Sequence, residues 1–292
     1  MIYKYPFEEE STMKIYKWKL SKLQVLKLSK VKVQGNLVAV TSDGNKYIPF
    51  GGIDSLYETA YKKAISELNE RAAWFTMYSL HPSIVPNTTG FAAHTDKEKA
   101  IQSSIYEVIE RKAFHYFIKL IMNNKIDEIY SNFHIQNKKD FLLFSKPYLT
   151  QAGELWITFA FDLGRKIIPV GMGKQNNLAE SIDDAIDECI MVNHSIEKYL
   201  ISHSNKQSTQ SMSQEELLSF INLGKSTLLQ DNLEKLSIEN NYYENVKTKN
   251  IESLLTLNVT RYIPKFLSPT NRYVYLSVPL EKADAIKNNY RI

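Results

Sequence analysis

The chain is poor in cysteine, glycine and proline, and its net charge is small. Its 292 residues include a single cysteine, Cys189, which excludes an intramolecular disulfide and any cysteine-built zinc or iron–sulfur site. The 10 glycines and 9 prolines are too few for a collagen-like or low-complexity chain. The 36 basic and 32 acidic side chains leave a net charge of +4, so nucleic acid is not expected as a partner.

Long apolar runs are also missing. No segment approaches the ~18–20 apolar residues of a transmembrane helix, so a membrane is not expected as a partner. The N-terminal sequence MIYKYPFEEE is acidic where a signal peptide is basic and then apolar. Together with the scarcity of cysteine, these features predict a cytoplasmic protein.

Apolar periodicity predicts a mixture of strands and helices. Alternating side chains in residues 14–50 indicate short strands, and ELWITFAFDL, KIIPVGMG and residues 272–280 indicate later ones. Helices are predicted at about 55–80, 96–122 (with Asp96 as N-cap), 181–200 and, less regularly, 214–236. The polar segment 202–214 is interpreted as a mobile loop. Because strands and helices are intermixed, the prediction is one α+β domain over residues 1–292.

A charged motif occurs twice at the same place in two predicted helices. AISELNERAAWF (64–75) and SIYEVIERKAFHY (104–116) share E-x-x-E-R, and each follows a glycine-containing strand–loop segment. Positions i and i+3 lie on one helix face, so Glu67 and Glu70 point the same way, as do Glu107 and Glu110.

Four carboxylates brought together would need a cation to offset their repulsion. Magnesium suits such oxygen ligands and usually shares them with substrate phosphates. Either copy of the motif alone is typical of an ion-paired, solvated helix face. Two copies in similar apolar frames favour a binding site.

Three segments in order resemble the YcaO-domain family. They are GGIDSLYETAYKKAISELNERAAWF, NTTGFAAHTDKEKAIQSSIYEVIERKAF and VGMGKQNNLAESIDDAIDECI, and together they cover about residues 45–195. The resemblance implies a single YcaO-like α+β domain, with mixed sheets and with packed helices that carry the duplicated motif. It also implies ATP-dependent modification of peptide backbone amides, giving an azoline or a thioamide, in the biosynthesis of a ribosomally made peptide.

The resemblance also assigns ligands to particular residues. ATP and Mg2+ are the implied cofactors, with Glu67, Glu70, Glu107 and Glu110 as metal ligands. The wider cofactor-binding set that it implies adds Arg71, His94, Thr95, Lys99, Ser103, Arg111 and Glu188. The implied partners are a precursor peptide and a leader-binding protein, with a homo- or hetero-oligomer left open. No catalytic residue is assigned.

Four positions differ from the family pattern and keep a second interpretation open. These positions are Lys63, Lys99, Met191 and Asn193. A lysine in place of a metal-facing acid removes a ligand and adds a repelling charge. The alternative is therefore a degenerate YcaO-like scaffold subunit, which binds peptide or a partner protein without ATP turnover. A third interpretation is a different ligand in the nucleotide cleft.

Overall fold

The computed structural model describes residues 13–27, 30–150, 153–204, 212–238, 249–250, 254–270 and 272–290. In chain order, the strands of this part are β1 (Ile15–Leu20), β2 (Gln24–Lys27), β3 (Val31–Thr41), β4 (Gly44–Asp54), β5 (Phe91–His94), β6 (His134–Lys138), β7 (Phe141–Thr150), β8 (Gly153–Asp162), β9 (Val170–Gln175), β10 (Lys249–Asn250), β11 (Leu254–Asn258) and β12 (Tyr273–Pro279). The helices are α1 (Tyr57–Leu80), α2 (Lys97–Met122), α3 (Ile126–Asn132), α4 (Leu178–Ser204), α5 (Met212–Gly224), α6 (Thr227–Ile238) and α7 (Leu280–Tyr290).

Contacts within the chain divide these residues into two compact units. The first unit takes its residues from 1–105 and 254–292, and the second from 106–253, so that the boundary falls within α2. The mixed α+β class is as predicted. The expectation of a single domain over residues 1–292 stays a prediction.

The first unit contains a four-stranded antiparallel sheet in which β3 pairs with β1, β2 and β4. The hairpin of β3 and β4 pairs without interruption from Val31↔Asp54 to Thr41↔Gly44. Gly44 has a φ of 100°, a conformation that glycine adopts without strain after a tight turn. The strands predicted over residues 14–50 are confirmed.

Helix α1 packs against this sheet through a stripe of small and apolar side chains. The residues of the stripe recur at helical spacing and have at most 1% of their surface exposed: Ala60, Ala64, Leu68, Ala72 and Phe75. Gly52 on β4 allows the close approach, since an added Cβ would lie 2.6 Å from the backbone nitrogen of Ala64. The helix predicted at 55–80 is confirmed.

A second, three-stranded antiparallel sheet of the first unit has the order β11–β12–β5. The register pairs Tyr273 with His94, which places the beginning of β12 beside the end of β5. The strand predicted at 272–280 is therefore confirmed as β12.

The second unit is built on a five-stranded sheet with the path β10–β7–β8–β9, and β6 also pairs with β7. Only the β10–β7 pair among the described strands of this sheet is parallel. Its core is aromatic: the ring of Phe117 on α2 lies 4.6 Å from that of Phe144 and 5.2 Å from that of Phe159. Burial of each such ring contributes roughly 1.5–3 kcal/mol.

Helix α4 also packs against β7 and β8 of this sheet. It is longer than the predicted 181–200, and it buries Ala185 and Cys189 completely against β7 and β8 residues. Cys189 is thus a packing residue, and burial raises the pKa of its thiol to about 12.

The predicted mobile loop at 202–214 is corrected at both ends. The described residues 202–204 belong to α4 and residues 212–214 to α5, while 205–211 lie outside the described part. The helix-like stretches predicted at about 214–236 are confirmed as two helices, α5 and α6. Among the described residues, no helix has the length and apolar character to cross a membrane.

Candidate functional site

The first E-x-x-E-R motif lies on α1, and backbone groups of neighbouring strands hold its acids. Glu67 Oε2 accepts a hydrogen bond from the Gly51 N–H at 2.7 Å, and Glu67 Oε1 pairs with Arg71 Nη2 at 3.2 Å. Glu70 Oε1 accepts from the Ala93 N–H on β5 at 2.8 Å. The two acids are therefore fixed against β4 and β5 by the fold itself.

The end of β5, the connection that follows it and the first turn of α2 carry three of the predicted ligands. His94 Nδ1 accepts a hydrogen bond from the Asp96 N–H at 2.9 Å, so a neutral ring carries its proton on Nε2. Asp96 Oδ1 accepts from the Lys99 N–H at 2.9 Å, which confirms Asp96 as the N-cap. Thr95 and Lys99 are exposed. Ser103, a turn further along α2, is half-buried.

Arg272, which directly precedes β12, is an unpredicted member of this neighbourhood. Its Nε is buried and has no hydrogen-bond partner among the described residues, while its Nη2 donates to the Lys62 carbonyl at 3.5 Å. Burial lowers the pKa of the guanidinium and Glu70 opposes that shift. Burial, then Lys99 and Arg272, lower the pKa of His94. Positive groups and a neutral imidazole thus share one location, which suits an anion.

The second E-x-x-E-R motif lies on α2, and a lysine holds its acids together. Lys174 Nζ on β9 pairs with Glu107 Oε2, and it pairs with Glu110 Oε2 at 2.7 Å. Arg111 Nε donates to Glu107 Oε1 at 3.0 Å. Glu188 on α4 accepts a hydrogen bond from the Met172 N–H at 2.9 Å. Together these residues form the α2 cluster: Glu107, Glu110, Arg111, Lys174 and Glu188.

The electrostatics of the α2 cluster separate its three acids. Burial opposes ionisation of Glu107, but Lys174 and Arg111 outweigh it and hold the pKa of this carboxyl well below its usual range. Burial, with the Glu107 charge adding to it, raises the pKa of Glu110 to about 7. Burial and the Glu110 charge raise the pKa of Glu188 to about 8. Three acids compete for two fixed positive charges, so the cluster is short of positive charge.

The Gly171-x-Gly173 sequence on β9 serves helix packing. A Cβ on Gly173 would collide with the Ser181 carbonyl oxygen and lie 2.7 Å from the Ala185 nitrogen. A Cβ on Gly171 would collide with the backbone of α4 at Ala185 and Cys189. Because side chains alternate along a strand, Lys174 points to the face opposite these glycines.

Segments 51–71 and 172–192 have the same local geometry. In each, a strand backbone N–H donates to a glutamate sixteen residues later: Gly51 to Glu67 and Met172 to Glu188. In each, the next residue is a glycine in contact with the following helix. The resemblance of the third segment thus has a structural counterpart, in which Glu188 corresponds to Glu67.

The predicted site residues fall into separate groups. Glu67, Glu70, Arg71, His94, Thr95, Lys99 and Ser103 belong to the first unit; Glu107, Glu110, Arg111 and Glu188 belong to the second. Among the described residues, no three histidine, cysteine, aspartate or glutamate side chains are placed to hold one metal ion. The metal role of Glu67, Glu70, Glu107 and Glu110 stays a prediction.

Two of the positions that differ from the family pattern have local partners. Lys63 Nζ pairs with Asp54 Oδ2 at 3.1 Å, and Asn193 Nδ2 donates to Glu197 Oε1 at 3.1 Å. Both partners lie on the same or the adjoining element. These two side chains therefore contribute to local structure.

Comparison with known proteins places the fold but gives no sequence relative. The chain has a YcaO-like fold. It is similar to the solved structure of YcaO from Methanopyrus kandleri bound with AMPPCP and Mg2+, with a TM-score of 0.50 over 89% of this chain and 85% of that one. The two sequences are 11% identical. No family model and no curated protein matches the chain.

Proposed function

We propose that this chain binds ATP with magnesium and uses it to modify backbone amides of a ribosomally made peptide. The observation that carries the proposal is the YcaO-like fold over 89% of the chain, since the similar structure is a YcaO bound with AMPPCP and Mg2+. AMPPCP is an ATP analogue. The product is an azoline or a thioamide, formed in the cytoplasm with a leader-binding partner protein that presents the precursor peptide.

The residues around β5 suit the phosphate groups of ATP. Within the part of the chain that the structure describes, Arg272 Nε is a buried donor without a partner, and a buried donor left unpaired costs about 1–3 kcal/mol. A phosphate oxygen would satisfy it. The proton on His94 Nε2 and the ammonium of Lys99 supply further donors to an anion at this place.

The α2 cluster contains oxygen donors of the kind that magnesium binds. Its carboxylates belong to Glu107, Glu110 and Glu188. Magnesium, when bound, would neutralise phosphate charge during phosphoryl transfer. The complication is Lys174, which already pairs with Glu107 and Glu110.

The proposed reaction has two stages. The substrate amide oxygen attacks the γ-phosphorus of ATP and displaces ADP. A neighbouring Cys, Ser or Thr side chain, or an external sulfur donor, would then add at the amide carbon and lose its proton to solvent as phosphate leaves; for an azoline, the amide nitrogen also loses its proton. The protein's own groups contribute by holding the charged reactants in position, as in other phosphoryl transfers.

A second candidate function is a scaffold that binds peptide or a partner protein without ATP turnover. The specific observation in its favour is again Lys174, because a fixed ammonium between two carboxylates can replace a metal in neutralising them. In that case the cluster would stabilise the second unit.

Titration calorimetry with ATP and Mg2+ separates the two functions. Binding should stabilise the fold by roughly 2.7 kcal/mol when the ligand is at ~100 times its dissociation constant, visible as a higher melting temperature. Phosphate release that depends on a precursor peptide would then establish turnover. Absence of binding at millimolar nucleotide, with peptide and partner protein present, would favour the scaffold.

A further inference from the structure

We propose that Lys174 is a resident cation that competes with a divalent metal ion for Glu107 and Glu110. The proposal deepens the proposed function, because it concerns how the same acids are controlled. It predicts that the chain without nucleotide binds divalent metal weakly, and that removing the ammonium strengthens that binding.

The geometry places the ammonium where a shared metal would have to bind. Lys174 Nζ contacts one carboxylate oxygen of Glu107 and one of Glu110, and these acids lie three residues apart on one face of α2. A hard cation held by the pair would use the same two oxygens. Both ligands cannot occupy this position at once, so metal binding requires displacement of the lysine.

Partial burial strengthens the competition between the lysine ammonium and a metal ion. The exposed fraction of the side chain is 26% for Lys174, 15% for Glu107 and 5% for Glu110. Water therefore screens the pair much less than it screens a surface ion pair. Lys174 is therefore a cation held in direct contact with both carboxylates.

The corresponding position of the first unit carries an apolar side chain. When segments 51–71 and 172–192 are matched through Glu67 and Glu188, the position of Lys174 corresponds to Ile53, which is 4% exposed. At matched positions of the two strand–helix segments, Lys174 thus carries a charge where Ile53 contributes only apolar packing.

Metal titration without nucleotide tests the proposal. Mn2+ is a suitable probe, because it accepts the same carboxylate ligands as magnesium and its free ion is measured directly by electron paramagnetic resonance. Lys174→Met should bind Mn2+ roughly tenfold or more tightly than the unaltered chain, the effect expected from removing one buried competing charge. Lys174→Arg keeps the charge and should bind as weakly as the unaltered chain.

Lys138→Met is the matched control. Lys138 belongs to the same unit and pairs with one acid, Asp183, at 3.1 Å, but both side chains are about half exposed. Its loss should change Mn2+ affinity by less than about twofold. Equal Mn2+ affinity in the unaltered chain and Lys174→Met would overturn the proposal, as would tight binding by Lys174→Arg.

Folding of the variant is a second measurement. If Lys174→Met unfolds in the presence of a chelator, millimolar Mn2+ should restore its circular dichroism spectrum and melting transition; failure to restore them overturns the proposal. Neither measurement uses ATP or peptide. Stronger Mn2+ binding by Lys174→Met in a chain that never binds ATP would therefore support this inference and refute the proposed function.

Discussion

Glu188 accepts a hydrogen bond from the backbone N–H of Met172, sixteen residues earlier, at 2.9 Å. Glu67 has the same relationship to Gly51, at 2.7 Å and the same separation. A strand, a short connection and the first turns of a helix thus bring an acid back to the strand. The fold fixes these carboxylates before any ligand binds, which is how a site is held in a defined geometry.

Gly173 allows α4 to approach β9 even more closely than α1 approaches β4 at Gly52. Replacing Gly173 should therefore destabilise the second unit. In Gly173→Ala, the new Cβ would collide with the Ser181 carbonyl oxygen and lie 2.7 Å from the Ala185 nitrogen. Backbone atoms cannot move aside as a side chain can, so we expect a loss of roughly 2–3 kcal/mol or more in the free energy of unfolding. Urea denaturation measures it.

Gly164→Ala is the control for that variant. A Cβ on Gly164 would lie 3.3 Å from Asp162 Oδ1, an atom that needs to shift by only a few tenths of an ångström. We expect a change below about 1 kcal/mol. Equal losses for the two variants would mean that the contact of Gly173 with α4 does not determine stability.

Glu188 should make the stability of the protein depend on pH. Its folded pKa of about 8 lies above the usual 4.5 of a glutamate, so between these values the folded state binds more protons than the unfolded state. Stability therefore falls as the pH rises from about 5 to 8 and then levels off, by a few kcal/mol at most. Glu188→Gln removes the titratable carboxyl group, so this variant should be more stable than the unaltered chain at pH 8.5.

Denaturation curves collected across this pH range in chelating buffer check the prediction. The amide oxygen of Gln can still accept the Met172 N–H, so the two proteins differ mainly in charge. Parallel curves for Glu188→Gln and the unaltered chain would contradict the prediction, because another group would then carry the pH dependence.

The sequence predicted best the elements that have one buried face. Helix α1 and strands β3 and β4 alternate buried and exposed positions, which is the signal that periodicity detects. Strand β7 was not predicted. Residues from Leu142 to Tyr148 are buried without interruption, so the strand has no alternation to read.

The candidate site could be predicted only where a motif is contiguous. Glu107 and Glu110 share one helix turn, and their spacing indicates a common face. Their partner Lys174 lies 67 residues from Glu107, and only the pairing of β9 within its sheet brings it there. Arg272 likewise lies near His94 only because β12 pairs with β5 in this register. Such long-range contacts leave no local pattern.

Replacing Lys63 tests whether a departure from the family pattern affects nucleotide binding. Its ammonium pairs with Asp54 at 3.1 Å, and the exposed fractions of the two side chains are 45% and 21%. An ion pair as exposed as this contributes at most about 1 kcal/mol. Lys63→Met should therefore lower the free energy of unfolding by less than that and leave ATP affinity unchanged. A large loss of ATP affinity would instead show that Lys63 contacts the nucleotide.

Arg272 provides the most direct test of the phosphate contacts. Its buried Nε has no partner in the described structure, whereas its Nη2 donates to the Lys62 carbonyl at 3.5 Å. Arg272→Gln removes both groups, and because the two effects on stability have opposite signs, the melting temperature of the nucleotide-free protein should change little. With ATP, a charge-assisted hydrogen bond is lost, which should weaken affinity by roughly tenfold, or about 1.4 kcal/mol. Arg261→Gln is the control, because Arg261 Nη2 already donates to the Tyr262 hydroxyl at 3.0 Å. Calorimetric titration of the three proteins compares them. Unchanged ATP affinity in Arg272→Gln, beside normal binding by the unaltered chain, would exclude the guanidinium as a phosphate ligand.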